Sequence, residues 1–253
     1  MLKISIITPS FNQGQFIEQT IQSVLSQNYP KLDYIVIDGG STDGTIKILK
    51  KYGRYLRWIS EKDKGQSHAI NKGLKMASGD IIAWLNSDDY YLPGALNRVA
   101  LHFERNKASH WVTGDYKIID EFGHDIHGYV IWYKNLLRSL SSYAMLSFAN
   151  YIIQPSTFWR RELMQKVGYL NNSYRYCMDY DLWLRFMKIE PPQILSSPLS
   201  AFRIHGASKG GSQYKKQFEE EIKVAQSHKV NKWMLQLHAL HNTMINVSYS
   251  FVK

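Results

Sequence analysis

Asp88 and Asp89 stand side by side in Asn86-Ser87-Asp88-Asp89, directly after the apolar run Ile81–Leu85. Adjacent carboxylates repel and raise each other's pKa unless a cation or an ordered set of donors lies beside them. Magnesium and manganese take oxygen ligands and are commonly held by one or two carboxylates together with substrate phosphates. A polar turn ahead of the helix that follows Pro93-Gly94 is the plainer account of the same residues. Asp38 precedes Gly39-Gly40, where glycine permits close backbone approach, and Ser41, Thr42 or Asp43 can cap the next helix. Asp38 suits a hydrogen bond to a base or ribose, or the capping of its own loop. Residues 60–74 bring lysines, Lys64 among them, to a helix start near Gly65, where they could meet phosphates or simply face water. Asp179 opens the stretch Asp-Tyr-Asp-Leu-Trp-Leu; a carboxylate there can accept a proton or cap a helix.

The elements that would position these groups alternate through the first half. Strands are expected at 3–8, 34–38, 56–60 and 81–85. Helices follow on the Phe16–Leu25 stripe, from about Asp43, over 66–76, and on Leu96, Val99, Ala100 and Phe103. Such alternation predicts an α/β fold: a Rossmann-like, mainly parallel central sheet with flanking helices, followed by a helical C-terminal tail. Ligands of these sheets bind beyond the carboxyl ends of the strands. Four strand ends here are polar, at Thr8-Pro9-Ser10, Asp38–Ser41, Glu61–Asp63 and Asn86–Asp89, which predicts one shared cleft. Past Phe103 the pattern weakens. One or two strands are expected in 110–119, a hairpin tip at Glu121–Gly123, a short strand at 157–159 and helices at 162–166 and 179–188. Residues 199–204 read as extended and 129–153 as ambiguous, while the chain is helical from Tyr214 onward.

The chain has 253 residues, 44% hydrophobic and 21% charged, with a net charge of +10, enough for a full α/β core in an ordinary globular protein. Cys177 is its only cysteine, which excludes a disulfide framework and a cysteine-built zinc site and fits a reducing compartment. No signal-like or membrane-spanning run is present in the sequence, so the expected location is cytoplasmic. The positive charge fits nucleic acid, an anionic membrane or an anionic substrate, and no nucleic-acid motif accompanies it.

The set "TPSFNQ", "IDGGSTDGT", "GDIIAWLNSDD" and "MDYDLWLRF", in this order and spacing, resembles the family 2 glycosyltransferases of the GT-A fold, over residues 3 to about 206. That resemblance implies a nucleotide-diphospho-sugar donor, a divalent Mn²⁺ or Mg²⁺ ion and transfer with inversion to a hydroxyl of a glycan or lipid-linked acceptor, as in cell-surface polysaccharide or glycolipid assembly. It implies that Thr8, Pro9 and Asp38, with neighbouring Ser10, hold the nucleotide. Asn86–Asp89 matches the metal-binding DxD region, with Asp89 the direct ligand and Asp88 facing ribose or metal. Asp179 matches the catalytic base, and Gln154-Pro155-Ser156 the acceptor side. His205 lies where a further metal ligand would fall, and Lys209 near the diphosphate, in a glycine-rich segment suited to a lid. Two departures stand out: Gly39 occupies a position that is often acidic, and Asn86 replaces the first acidic residue of DxD.

The resemblance divides the chain into a nucleotide-binding half (1–105), an acceptor half (106–212) and a C-terminal amphipathic extension (213–253). The stripe Trp233, Leu237, Leu240, Met244 and Val247, with Lys229 and Lys232, suits an anionic membrane surface or a homodimer contact. Membrane contact would make the protein peripheral on the inner face. Two other classes compete. A sugar nucleotidyltransferase would want a glycine-rich basic loop after the first strand, which "TPSFNQGQF" lacks. A basic nucleic-acid binder would leave Asp88, Asp89 and Asp179 unexplained.

Overall fold

The computed structural model describes residues 1–206, 208 and 213–251. Strand β1 (Ile4–Ser10) is buried along its whole length, as the central strand of a covered sheet must be. It pairs in parallel with β2 (Leu32–Asp38) on one side and β4 (Ile81–Trp84) on the other, and β2 continues to β3 (Arg57–Ser60). Their crossovers are α1 (Ile17–Leu25), α2 (Thr45–Tyr52) and α3 (Gln66–Met76). β5 (Tyr90–Tyr91) and α4 (Ala95–Arg105) follow β4. All four parallel strands therefore end on the same edge.

Beyond β4 the pairing turns antiparallel. β7 (Thr157–Arg160) lies between β4 and β6 (Trp111–Ile119), pairing Ile82 with Trp159 and Trp111 with Trp159. β6 pairs in parallel with β8 (Gln193–Arg203), and β5 closes the far edge against β8. The order is β3-β2-β1-β4-β7-β6-β8-β5, one continuous eight-stranded sheet.

Side chains alternate across this sheet. Ile4, Ile6, Ile81 and Ala83 pack under α1 and α4, while Ile7, Ile82 and Trp84 pack on the opposite face under α3 and α8 (Met178–Met187). Gly73 lets α3 lie against β1, because a Cβ there would come within 2.4 Å of Ile7 Cγ2. On that face Trp183 stacks between Trp84 (5.6 Å) and Trp111 (5.8 Å), fixing α8 to the sheet. Asp179 sits in the first turn of that anchored helix.

The ambiguous stretch folds as α5 (Gly128–Ser139), α6 (Tyr143–Phe148) and a 3₁₀ turn, Gln154–Ser156, with α7 (Arg161–Val167) after β7. The Glu121–Gly123 tip is a tight turn capped by Asp120, whose carboxylate accepts the amides of Phe122 and His124. β8 begins six residues before the expected Leu199; its first part is largely solvent-facing and slips register against β6 between Gly114 and Tyr116, so it lacks strict alternation. The C-terminal helices are α9 (Tyr214–Ser227) and α10 (Lys232–Phe251). Val224 and Ala225 of α9 are buried in the same cluster as α8. No helix among the described residues is long and apolar enough to cross a membrane.

Candidate active site

The ends of β1 to β4 open onto one cleft of about 1030 Å³, near the upper end of the range for small-molecule sites. Pro9 and Ser10, Gly39 and Gly40, Lys62–Gly65, and Asn86–Asp88 form its strand-end wall. Gln154, Asn172, the Tyr174–Tyr176 segment, Met178 and Asp179 form the opposite wall. Several residues expected at the site meet here: Pro9, Ser10, Lys64, Asn86, Asp88, Gln154 and Asp179.

Ser10 is poised for a ligand, since its Oγ is buried and finds no hydrogen-bond partner among the described residues. Thr8 and Asp38 lie deeper, outside the lining. The Thr8 hydroxyl pairs with the Tyr34 hydroxyl at 3.1 Å. Asp38 is fully buried and accepts from the amides of Gly40 and Ser41 and the hydroxyls of Ser41 and Ser60, so it caps its own loop. Asp63, which the sequence reading did not single out, occupies the place beside Gly39: a Cβ at position 39 would lie 2.7 Å from Asp63 Oδ2. The cleft carboxylate near the nucleotide loop thus comes from β3's end, and an acidic residue at 39 would collide with it.

The Asn86–Asp89 turn has a fixed division of labour. Asn86 Nδ2 donates to Asp89 Oδ2 (3.2 Å) and Gln154 Oε1 (3.1 Å), while its Oδ1 accepts from Gln66 Nε2 (2.8 Å). Asp89 is 1% exposed and accepts the Arg203 amide at 2.9 Å. Burial, and then the charge of Asp88, push the Asp89 carboxyl well above the usual carboxylate range. Asp88 instead lines the cleft, with Oδ2 3.1 Å from His205 Nε2. The expectation that Asp89 is the direct metal ligand runs against this geometry, because its oxygens face Arg203 and Asn86 rather than the cleft. The open carboxylate is Asp88.

Arg203 was not anticipated. Its Nε donates to the Asp88 carbonyl (2.9 Å) and its Nη2 to Gln19 Oε1, and its guanidinium lies over Phe16 (4.9 Å) and Tyr90 (5.7 Å). It clamps the carboxylate turn to α1. Nothing in the sequence marks it except its place two residues before His205. The His205 ring in turn packs against Phe16 at 4.6 Å.

A divalent ion fits here on the chemistry of the donors. No group of three His, Cys, Asp or Glu that could hold a metal exists among the described residues. Asp88 offers a carboxylate to the space a diphosphate would fill, with the largely buried His205 ring behind it at 3.1 Å, and magnesium-type sites complete their shells with phosphate and water. Lys209 and the glycines at 210 and 211, read as a phosphate contact and lid, lie outside the described residues.

Across the cleft, burial pushes the Asp179 carboxyl up to about 6; the Tyr180 amide it accepts (2.8 Å) opposes this, Glu221 adds to it and Lys134 opposes it. Asp181 points elsewhere, tied to Arg185 and His228 at 2.8 Å each, which hold it below the usual range although burial works against them. Glu220 of α9 accepts the consecutive amides of Arg175 and Tyr176, at 2.6 and 2.7 Å, and so fastens the segment leading into Asp179. Gln154 spans the floor, donating to the Trp84 carbonyl at 2.7 Å. Its neighbours are turned away. Pro155 is buried, and the Ser156 hydroxyl donates to the Asp115 carbonyl and pairs with Ser200.

A strand-end cleft with a carboxylate turn on one wall and a half-buried carboxyl on the other, in this mixed sheet, is the architecture of the GT-A glycosyltransferases. The chain belongs to glycosyl transferase family 2, whose model matches residues 5–168. An uncharacterized glycosyltransferase of Rickettsia conorii is 28% identical over 241 residues, which are 94% of this chain and 38% of that protein. TuaG of Bacillus subtilis, a putative teichuronic acid biosynthesis glycosyltransferase, is 39% identical over 99 residues, 38% of this chain and 39% of its own length. Among solved structures, the Pyrobaculum calidifontis mannosyltransferase PcManGT, in complex with GDP-Man and Mn²⁺, superposes with a TM-score of 0.72 at 17% identity, covering 94% of this chain and 69% of its own. S. aureus TarS in complex with UDP-GlcNAc gives a TM-score of 0.68 at 18% identity, covering 95% and 69%. The chain spans between 38% and 64% of the length of the rickettsial relatives from R. conorii and R. typhi.

Proposed function

We propose that the protein is an inverting glycosyltransferase that moves a sugar from a nucleotide-diphospho-sugar to a hydroxyl of a glycan or lipid-linked acceptor in cell-surface polysaccharide or glycolipid assembly. The observation that carries this is the placement of Asp88, backed by His205 at 3.1 Å, on one wall of the cleft and Asp179, its carboxyl raised to about 6, on the other. The nucleotide lies along Pro9, Ser10, Gly39 and Asp63, and the diphosphate runs toward Lys64 and Asp88. Asp88, with His205 beside it, would hold a divalent Mn²⁺ or Mg²⁺, which would supply positive charge to the diphosphate. Asp179 takes the proton from the acceptor hydroxyl as that oxygen bonds to the anomeric carbon from the face opposite the leaving group. The bond from the anomeric carbon to the phosphate oxygen breaks, and its electron pair leaves with the nucleoside diphosphate.

Gln154 presents the acceptor wall, while Thr8, Asp38, Asp89, Pro155 and Ser156 act by holding the backbone that carries the contacting groups. The relation to TuaG and the likeness to structures holding UDP-GlcNAc or GDP-Man support a nucleotide-sugar donor. A thermal-shift screen against UDP-, GDP- and dTDP-sugars tests it, because specific binding stabilises by mass action. One donor should raise the Tm with Mn²⁺ or Mg²⁺ present and lose most of that effect in Asp88→Ala. No shift with any nucleotide sugar, with or without metal, would sink the reading.

A further inference from the structure

α5 and α10 each leave an apolar face uncovered. The exposed large apolar residues are Tyr129, Trp132 and Leu136 on α5 with Leu140 just past its end, and Trp233, Leu237, Leu240 and Met244 on α10. Their spacings of three and four put each set on one helix face. The helices meet where Tyr133 stacks on His241, ring centroids 5.8 Å apart. Tyr133 follows Trp132 and His241 follows Leu240, so this contact lies beside both stripes. Trp132 is 68% and Trp233 79% exposed, the most exposed aromatic side chains described on these helices.

Charge indicates what covers this face. Residues 126–161 and 222–253 contain no aspartate or glutamate, although the chain has 21 acidic residues in all. The two helices carry only basic charge of their own, with Lys229 and Lys232 exposed at the start of α10, while Glu219 and Glu221 of α9 lie on the side of α10 away from its exposed stripe. Apolar stripes bearing Trp and Tyr, on helices that carry lysine and no acid of their own, match the headgroup region of an anionic bilayer. A soluble partner or a second copy would impose no such exclusion of acidic residues.

We infer that α5 and α10 together form a two-helix platform that docks on an anionic lipid bilayer and holds the acceptor wall of the cleft at the membrane surface. The inner side of α5 supports the second half of this statement: Leu137 is buried in the same cluster as Met178 and Tyr180, the residues on either side of Asp179. The same helix therefore touches lipid on one side and the proposed base's surroundings on the other. That link rests on the acceptor reading given above; the docking face itself does not.

The full chain should float with phosphatidylcholine vesicles containing about a third phosphatidylglycerol and far less with phosphatidylcholine alone, with capture weakened by high salt. Trp132→Ser and Trp233→Ser, both at exposed positions, should each lower the partition ~10-fold, the loss expected when one large apolar side chain no longer enters the interface. Metal-dependent stabilisation by the donor, measured on the same variants, should be unchanged. Vesicle capture indifferent to both substitutions, or absent with either lipid, overturns the inference. So does concentration-dependent self-association that Trp233→Ser abolishes without vesicle capture, which would give the face to a second copy. Vesicle capture without any donor response would leave the platform standing and remove the activity assigned above.

Discussion

Asp179→Asn separates a proton acceptor from a helix cap, and the structure supplies the magnitude. In the folded chain the Asp179 carboxyl is pushed from the ordinary 3.8 up to about 6, chiefly by burial. The folded state therefore holds that proton more tightly than the unfolded chain, and keeping the group ionised at neutral pH costs at most about 3 kcal/mol. The cost is absent below about pH 4, grows as pH rises to about 6 and is constant above. Asparagine has no charge to desolvate, and its Oδ1 can still accept the Tyr180 amide that Asp179 accepts at 2.8 Å. Because the carboxyl also faces the water of the cleft, the realised gain is about 1–2 kcal/mol near pH 8. Thermal melts of the two proteins should thus coincide at acid pH and separate, variant above wild type, across pH 4–7. Turnover should move the other way, falling ~10²-fold or more, while donor binding holds. The wild-type rate should rise with pH through about 6 as the base loses its proton, and the variant should lack that limb. Sugar transfer at near wild-type rate would reduce Asp179 to a cap. Melts that differ by the same amount at every pH would show that burial does not set its titration.

Four other substitutions probe the carboxylate turn and the wall opposite. Asp88→Ala should keep the wild-type Tm yet lose metal-dependent donor binding, whereas Asp89→Ala, which strands the buried Arg203 amide and Asn86 Nδ2, should cost about 1–3 kcal/mol in a denaturant melt; the opposite pattern would restore Asp89 as the ligand. Arg203→Met should destabilise by about 2–4 kcal/mol, since it leaves buried carbonyls without a donor and loosens the turn from α1, with KM for the donor rising in parallel; an unchanged melt and KM would refute the clamp. Glu220→Gln retains one acceptor oxygen for two amides, so it should raise KM for the acceptor with little change in donor binding, and steady-state kinetics with both substrates varied would expose the reverse.

The parallel half was legible because its elements follow clean periods. β1 and β4 alternate between two buried faces, and α4 carries a single stripe of Leu96, Val99, Ala100 and Phe103, all buried. Residues 129–153 resisted reading because α5 is apolar on both sides: Leu137 is buried while Tyr129, Trp132 and Leu136 are exposed, which leaves no single stripe to follow. The antiparallel entry of β7 between β4 and β6 could not be read either, since local pattern carries no information about pairing partners 77 residues apart, as between Ile82 and Trp159. At the site, strand-end polarity found the cleft. It could not choose between Asp88 and Asp89, which differ only in that Arg203, 114 positions after Asp89, claims one of them. Asp63 was hidden in a run of mixed charge, and its use emerges only from its distance to Gly39.

The sheet order also dictates when this protein can become a folded object during its synthesis. The first 105 residues supply β1 to β5, yet two of those strands wait for chain that emerges much later: β4 for β7 at residues 157–160, and β5 for β8 at 193–203. Until then a growing chain carries Ile81 and Ile82 on an open strand edge, the kind of edge that recruits other chains. A ribosome adding about 5–20 residues per second leaves that edge unsatisfied for several seconds. Breaking the chain near residue 105 would make the interval permanent, because each piece would hold strands whose partners lie in the other. The two portions that face each other across the cleft are thus interlaced parts of a single weave, and the catalytic opening exists only once the last strand has been threaded home.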